Sequence, residues 1–402
     1  MNQRIRLDYR HTIYASYIGY ITQAIVNNFA PLLFLTFQTT YHLTLKDITL
    51  ITTVNFFVQL CVDLLSAGFI DWIGYRRAIV SAHLFASVGL AGLAFFPQIF
   101  SSPYAGLMTA VVFYAIGGGI IEVLISPIVE ACPTERKEAA MSLLHSFYCW
   151  GHVFLVLVST LFFTVCGIEH WPVLACIWGL VPFVNMIYFF FVPIQRTVEE
   201  TRQMNFGALI KKKVFWLLIV IMICAGASEL AMSQWASTFA ESALGVSKTV
   251  GDLAGPCAFA VLMGLARAFY GKCSERIPLK KFMIGCAVLC IGCYALAMLA
   301  EMPLFGLIGC AVCGFSVGIF WPGTFSIAAV KLPTGGTVMY ALLALAGDIG
   351  CSSGPTVVGM VADSTGNNLK SGLGAAMIFP VVILIGLMLL KTDKTDRTSG
   401  IG

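Results

Sequence analysis

Acidic residues interrupt several long apolar stretches of this 402-residue sequence. The four deepest are Asp63, Glu122, Glu229 and Asp348. An ionised carboxylate at lipid depth is costly unless it pairs with a cation or binds a proton. Arg267 is the only basic residue that we place at similar depth, and one arginine cannot neutralise four acids. We therefore predict that the four acids take part in proton coupling. Glu122, in GGGIIEVLISP at 117–127, is the first candidate.

Polar and aromatic side chains accompany these acids at helical spacing, as Ser126 accompanies Glu122. Amides, hydroxyls and indole rings on one face suit a neutral polar ligand such as a sugar. The alternative is that they only hold helices together, which is the commoner role of a single Ser or Asn. The candidate solute-binding residues are Gln23, Asn27, Asn28, Glu122, His145, Tyr148, Glu229, Gln234, Trp235 and Trp321.

The composition is that of a protein embedded in a membrane. Hydrophobic residues make up 58% of the chain and charged residues 11%, with a mean hydropathy of +0.88. Apolar runs long enough to cross a bilayer lie near 11–38, 46–70, 78–98, 104–129, 139–166, 171–193, 214–241, 249–272, 282–300, 304–330, 336–362 and 370–390. The sequence predicts an all-α membrane protein with twelve transmembrane helices in the lipid bilayer. The start, MNQRIRLDYRH, continues into the first run, so we expect no cleaved signal.

A polar segment divides the twelve runs into six and six. PIQRTVEETRQMNFGALIKKK, at 193–213, predicts an N-terminal bundle at 1–195, a cytoplasmic linker at 196–213 and a C-terminal bundle at 214–402 with a short cytoplasmic tail. The halves also resemble each other, since 122–151 and 321–350 both contain a helix, a Pro-Thr turn and a second helix. Two pseudo-symmetric six-helix bundles are expected, with a ligand site near their centre.

Basic residues indicate the orientation of the chain. Most fall on the side of the termini and the linker, whereas Lys46, Lys248 and Lys370 fall opposite. By the positive-inside rule both termini are cytoplasmic. The net charge of +4 is therefore a topology signal and does not indicate nucleic-acid binding. We expect a monomer in a bacterial inner membrane or a plasma membrane.

Fourteen cysteines raise the question of a metal site. Cys290 and Cys293, followed by Cys310 and Cys313, have the spacing of a four-cysteine zinc site. Both pairs lie within apolar runs, where small residues commonly pack helices together. We expect no metal and no cofactor. Nucleotide-binding motifs are absent from the sequence, and nothing in it indicates catalysis.

The segment GFIDWIGYRR, at 68–77, resembles the signature between the second and third spans of the major facilitator superfamily. The matching residues are Gly68, Asp71, Gly74, Arg76 and Arg77, whereas Trp72 and Tyr75 stand where that family commonly has basic residues. The resemblance implies a gating role, in which Asp71 and the arginines latch the cytoplasmic side in the outward-facing state.

Three further segments are similar to the fucose permease branch of that superfamily. They are AIVNNFAPLLFLTFQTTYHLT at 24–44, GGGIIEVLISP at 117–127 and GASELAMSQW at 226–235. The similarity implies that Glu122 contacts substrate and proton and that Asn27 and Asn28 are sugar-facing amides. Pro31 replaces a protonatable aspartate of that branch, and His145 and Tyr148 replace polar amides.

Together these features predict a secondary transporter that moves a small polar solute, a sugar or a related metabolite, by proton symport with alternating access. A proton-coupled exporter of amphipathic compounds is one alternative, favoured by the aromatic and Met-rich composition. A receptor that keeps the fold without transport is another. Sodium is an alternative coupling ion, because Asp63 and Asp348 lie near Ser66 and Ser352.

Overall fold

The computed structural model describes residues 8–133, 137–194, 206–273, 277–332 and 335–390. Within these ranges the chain is almost entirely helical and contains no strand. Twelve helical spans are long and apolar enough to cross a membrane. The predicted all-α, twelve-span architecture is therefore confirmed, and the predicted and observed span ends differ by only a few residues.

We label the spans α1 to α12. The first six are α1 (Tyr9–Tyr41), α2 (Leu45–Ile73), α3 (Tyr75–Ile99), α4 (Pro103–Glu130), α5 (Lys137–Cys166) and α6 (Trp171–Phe191). The second six are α7 (Lys213–Ser242), α8 (Lys248–Tyr270), α9 (Leu279–Leu299), α10 (Pro303–Lys331), α11 (Gly336–Ser364) and α12 (Leu369–Leu389). The chain divides into two compact units, Met1–Glu199 and Glu200–Gly402. Most of the predicted linker lies outside the described residues, and its last part contains the short helix Phe206–Leu209.

Several spans are interrupted. In α1 the helix Tyr9–Asn28 gives way to a 3-10 turn, Ala30–Leu33, in which Pro31 has no N–H to continue the α-helical ladder. In α7 the break falls between Ser233 and Ala236, and in α10 it falls between Val317 and Phe320. In α8 a π-helical turn, Leu253–Cys257, carries Pro256.

Glycines bring α3 and α4 into close contact in the N-terminal unit. A Cβ on Gly89 of α3 would overlap the backbone of Tyr114, and a Cβ on Gly117 of α4 would lie 2.5 Å from the Ala82 carbonyl oxygen. The missing side chains let the two backbones approach, as small residues do in membrane helix packing. This packing fixes the turn of α4 that precedes Glu122.

Glycines also bring α7 and α11 into close contact in the C-terminal unit. A Cβ on Gly350 of α11 would overlap the Ile223 carbonyl oxygen, and a Cβ on Gly226 of α7 would overlap the Gly347 carbonyl oxygen. The α7 and α11 backbones are thus in direct contact. This contact sets the helix that carries Glu229 against the helix that carries Asp348.

A cationic cap closes the end of α6. The guanidinium group of Arg76 donates hydrogen bonds to the carbonyl oxygens of Phe189 at 2.8 Å, Phe190 at 2.9 Å and Val192 at 2.8 Å. The last carbonyls of a helix have no intrahelical donor, and a positive charge there also favours the helix dipole. Arg76 therefore ties the beginning of α3 to the end of α6.

The C-terminal unit repeats this cap. Lys280, near the beginning of α9, donates from Nζ to the Leu390 carbonyl oxygen at 2.5 Å, just after α12. The third and sixth spans of each unit are thus joined by a basic side chain. The internal repeat predicted from the sequence extends to this individual contact.

We expect Gly350→Ala to lower the thermal unfolding midpoint of the purified protein, because its methyl group must push α7 and α11 apart. Overpacking of this kind costs roughly 1–3 kcal/mol. Gly292→Ala on α9 is the control, since no atom lies within 4 Å of a Cβ built there. It should be neutral or slightly stabilising, as Ala is the better helix former. Equal midpoints for the two variants would contradict the close contact.

Replacing Arg76 by Gln should also lower the unfolding midpoint, because the carbonyls at the end of α6 lose their charged donor. Hydrogen bonds from a charged group contribute roughly 1.5–3 kcal/mol. Arg77→Gln removes the same charge from an exposed neighbour and should leave the midpoint nearly unchanged. If Arg76 acted only as a gate latch, the two variants would unfold alike.

Candidate functional site

Glu122 lies on α4 and is half-buried within the N-terminal unit. Its Oε2 atom accepts a hydrogen bond of 2.8 Å from Nε2 of Gln23, which is 3% exposed on α1. Gly118 leaves room for this pair, because a Cβ there would lie 3.0 Å from Oε1 of Gln23 and 3.4 Å from Oε1 of Gln59. The glycine run before Glu122 therefore lets amide side chains of α1 and α2 approach α4.

Four buried amides form a connected group, which we call the amide network: Gln23 and Asn27 of α1 with Asn55 and Gln59 of α2. Gln23 Nε2 also donates to Gln59 Oε1 at 2.9 Å. Gln59 Nε2 donates to Asn27 Oδ1 at 2.8 Å and to Asn55 Oδ1 at 3.0 Å, and Asn55 Nδ2 donates to Asn27 Oδ1 at 3.3 Å. A chain of hydrogen bonds thus runs from the carboxylate across three helices.

Aromatic and hydroxyl groups continue the site towards α5. Tyr20 of α1 forms a 3.0 Å hydrogen bond with Ser126 of α4, and its ring meets that of His145 edge-on with centroids 5.3 Å apart. Asn28 donates to the Ala24 carbonyl at 2.9 Å and to the Tyr148 hydroxyl at 3.4 Å. The structure therefore brings together six predicted residues of this unit, Gln23, Asn27, Asn28, Glu122, His145 and Tyr148.

Three members of this site were missing from the residues chosen on sequence: Tyr20, Asn55 and Gln59. The last two were detectable, because Asn55, Gln59 and Asp63 recur every four residues and so share one face of α2. Asp63 continues that stripe one turn beyond Gln59 and is half-buried. Tyr20 had no such signal, since its partner Ser126 is 106 residues away in the chain.

The C-terminal unit places its candidates on α7, α10 and α11. Glu229 on α7 is 8% exposed, and Arg267 of α8 is the positive charge that acts on it. Arg267 also donates from Nε to the Gly318 carbonyl at 3.1 Å, at the break in α10. The deep arginine predicted from the sequence is therefore associated with Glu229 and with that break.

The tryptophans of this unit have different surroundings. Trp235 is fully buried, and its indole N–H donates to the Pro355 carbonyl at 3.0 Å, which holds α7 to α11. Gln234, beside it, is also buried. Trp321 of α10 is half-buried, its ring packs against Gly347 of α11, and Asp348 is half-buried next along that helix.

Helix breaks fall beside the candidate residues of both units. Asn27 and Asn28 immediately precede the break in α1, Gln234 and Trp235 form the break in α7, and Trp321 follows the break in α10. Interrupted helices expose backbone polar groups that can contact a ligand. The three breaks therefore lie next to candidate residues in each unit.

The residues of the predicted gate have separate structural roles. Gly74, with a φ of 86°, is the single residue between α2 and α3, a conformation that favours glycine. Arg76 forms the cap on α6, and Arg77 is exposed. The side chains of Gly68 and Asp71 lie outside the part of the chain that the structure describes. Their predicted gating role stays a prediction.

Cysteine sulfurs meet between α9 and α10. Sγ of Cys290 lies 3.9 Å from Sγ of Cys313, and both side chains are fully buried. Within the described ranges no group of His, Cys, Asp and Glu side chains has an arrangement that could hold a metal ion. These cysteines pack the helix interface as small residues.

The sequence and the fold were compared with known proteins. A family model for the Major Facilitator Superfamily matches residues 16–355. No curated protein matches the sequence significantly. Among solved structures, the D-xylose-proton symporter has a TM-score of 0.76 at 11% identity, covering 96% of this chain and 99% of that chain. The nucleoside transporter NupG has a TM-score of 0.74 at 13% identity, covering 94% and 99%.

The fucose:proton symporter FucP of E. coli has a TM-score of 0.63 at 16% identity, covering 95% of this chain and 98% of that chain. The fucose branch is thus among the structural neighbours, although the D-xylose symporter has the higher score, so closeness to that branch is loosely supported. Identities this low show the fold alone. The family match covers most of the chain and agrees with the twelve-span fold, so this protein belongs to the Major Facilitator Superfamily and is a multi-pass membrane transporter.

Proposed function

We propose that this transporter is a proton-coupled symporter of a small polar solute, with sugars as the first class of candidates, working by alternating access. The observation that carries the proposal is the hydrogen bond between Glu122 and the amide network. It joins one acid on α4 to a set of neutral donors and acceptors on α1 and α2. Such a site can bind a proton and a polar solute close to each other.

The proton assignment rests on the surroundings of Glu122. One of its hydrogen-bond donors, Gln23, is a neutral amide. A charge that moves through a low-dielectric region is costly, and binding a proton removes it. The same amide can pair with either form of the carboxyl group. Glu122 is therefore the primary proton carrier in this proposal, with Asp63, Glu229 and Asp348 as further coupling acids.

The solute assignment rests on the hydrogen-bonding groups. Amides, the Tyr20 and Tyr148 hydroxyls and the His145 ring offer both donors and acceptors beside aromatic surface, as sugar hydroxyls and C–H faces require. The solutes named for the structural neighbours, D-xylose, fucose and nucleosides, all contain a sugar ring. Glu229, Gln234, Trp235 and Trp321 are the candidate solute-binding residues of the C-terminal unit.

The remaining parts of the proposal concern topology and gating. The protein works as a monomer in a bacterial inner membrane or a plasma membrane, with both termini in the cytoplasm, because the basic residues concentrate on that side. Asp71 with Arg76 and Arg77 would latch the cytoplasmic side during the cycle. In the structure the Arg76 guanidinium is hydrogen-bonded to the carbonyls at the end of α6.

Proteoliposomes with an interior pH dye test the coupling directly. A panel of D-xylose, L-fucose, D-galactose and uridine is added, and we expect at least one solute to acidify the interior. Glu122→Gln should reduce this acidification about tenfold or more while solute counterflow continues, because the amide keeps the hydrogen bonds and cannot release a proton. Glu169→Gln, at an exposed residue, is the matched control and should behave as wild type.

Other outcomes would redirect or overturn the assignment. Proton movement that survives in Glu122→Gln would remove Glu122 as the carrier. Uptake that needs sodium and ignores pH would replace the coupling ion. Acidification driven only by hydrophobic cations would favour the exporter of amphipathic compounds, and solute binding without counterflow would favour a receptor.

A further inference from the structure

Gln23 contains a buried acceptor that has no hydrogen bond. Both N–H groups of its amide are used, by Glu122 at 2.8 Å and by Gln59 at 2.9 Å, whereas its Oε1 atom is buried without a partner. Buried polar atoms are nearly always bonded. An ionised carboxylate can only accept hydrogen bonds, so it draws the Gln23 nitrogen towards itself and turns the carbonyl away. With Glu122 ionised, this arrangement leaves Oε1 of Gln23 without a hydrogen-bond donor.

When Glu122 is protonated, the Gln23 nitrogen no longer has to face it, because a carboxylic acid carries an O–H donor. Rotation of the Gln23 amide would let Oε1 accept from that donor. The rotated oxygen would then also face Oε1 of Gln59, and two acceptors in contact repel each other. Gln59 must rotate in turn, which brings its N–H groups to Gln23. The glycine at position 118 leaves the space beside both amide oxygens in which these rotations occur.

The rotation of Gln59 reaches two asparagines. Its Nε2 atom now donates to Oδ1 of Asn27 at 2.8 Å and to Oδ1 of Asn55 at 3.0 Å. After rotation an acceptor occupies that position, and both asparagines must turn their Nδ2 groups towards Gln59. Each asparagine then presents its opposite end to its other neighbours.

We propose that Gln59 is the positioning residue that couples the proton on Glu122 to the solute, by reversing the direction of hydrogen bonding through the amide network. Asn27 would offer a solute different groups in the ionised and protonated states. A solute that fits one state then changes proton binding, and the proton changes solute binding by the same factor. The proposal rests on the proposed function, since it assumes that Asn27 faces the solute.

Other titratable groups surround the amide network. Their effects must be distinguished from the coupled amide rotations, which we call the relay. Tyr20 of α1 interacts electrostatically with Glu122, and His145 of α5 contacts the Tyr20 ring. Asp63 lies one turn beyond Gln59 on α2. His83 of α3 is bonded to Ile79 and Asn185. None of these side chains lies between Gln23 and Gln59, which are in direct contact.

Infrared difference spectroscopy of the full-length protein in lipid tests the relay without any solute. Spectra at acid and alkaline pH are subtracted, with asparagine labelled by carbon-13 at its side-chain carbonyl. The carboxylic acid band that disappears in Glu122→Gln reports proton binding there. In wild type we expect labelled asparagine carbonyl bands to shift together with it. In Gln59→Met, which keeps the side-chain length, the Glu122 band should remain and the linked asparagine shift should be lost.

Thr52→Val is the control, because Thr52 is buried on the same helix and its hydroxyl has no hydrogen bond. It should keep both signals. A Glu122 band in Gln59→Met also shows that this variant folds. If Gln59→Met does not fold, Gln59→Leu takes its place in the same measurement. Asparagine shifts that persist in the Gln59 variants, or that are absent from wild type while Glu122 titrates, would overturn the relay. Since no solute is present, failure of sugar symport would leave this result standing.

Discussion

The absence of water from the hydrocarbon region is the constraint on which the rest of this structure depends. Each polar group there must find its partner within the protein, because an unsatisfied group costs several kcal/mol. The amide network meets this requirement for Glu122 by linking it to Gln23 and Gln59. The glycines of α4 are part of the same solution, because a larger residue at 118 would push the amides away. Placement of one acid therefore constrains residues on three helices.

The same constraint explains the basic caps at the ends of the helices. The ends of α6 and α12 leave carbonyls without intrahelical donors, and Arg76 and Lys280 supply them from the neighbouring helices α3 and α9. These contacts tie distant spans together within each unit. A transporter that alternates access by moving one bundle against the other needs bundles that are internally rigid. Arg76 thus stiffens its own unit by joining α3 to the end of α6.

The number of spans, the division into halves and six of the nine residues grouped at the candidate N-terminal site could be predicted from the sequence. The length of an apolar run and the distribution of basic residues are properties of short segments, so they can be recognised without knowing which segments are in contact. Asn55 and Gln59 are neither acids nor part of a family motif, so they were not predicted, although their spacing marks one face of α2. The role of Arg76 was not predictable, because its acceptors are backbone carbonyls more than 110 residues later, and carbonyls leave no sequence signal.

The acids of the two units have different neighbours. Arg267 supplies a positive charge that acts on Glu229, whereas burial of that carboxylate acts against its ionised form. The hydrogen bond from Gln23 gives Glu122 a neutral donor. One acid thus has an amide among its partners and the other has a guanidinium acting on it. The primary proton carrier of the proposal is therefore the acid of the N-terminal unit, whereas Arg267, which acts on Glu229, also holds the break in α10 through its hydrogen bond to the Gly318 carbonyl.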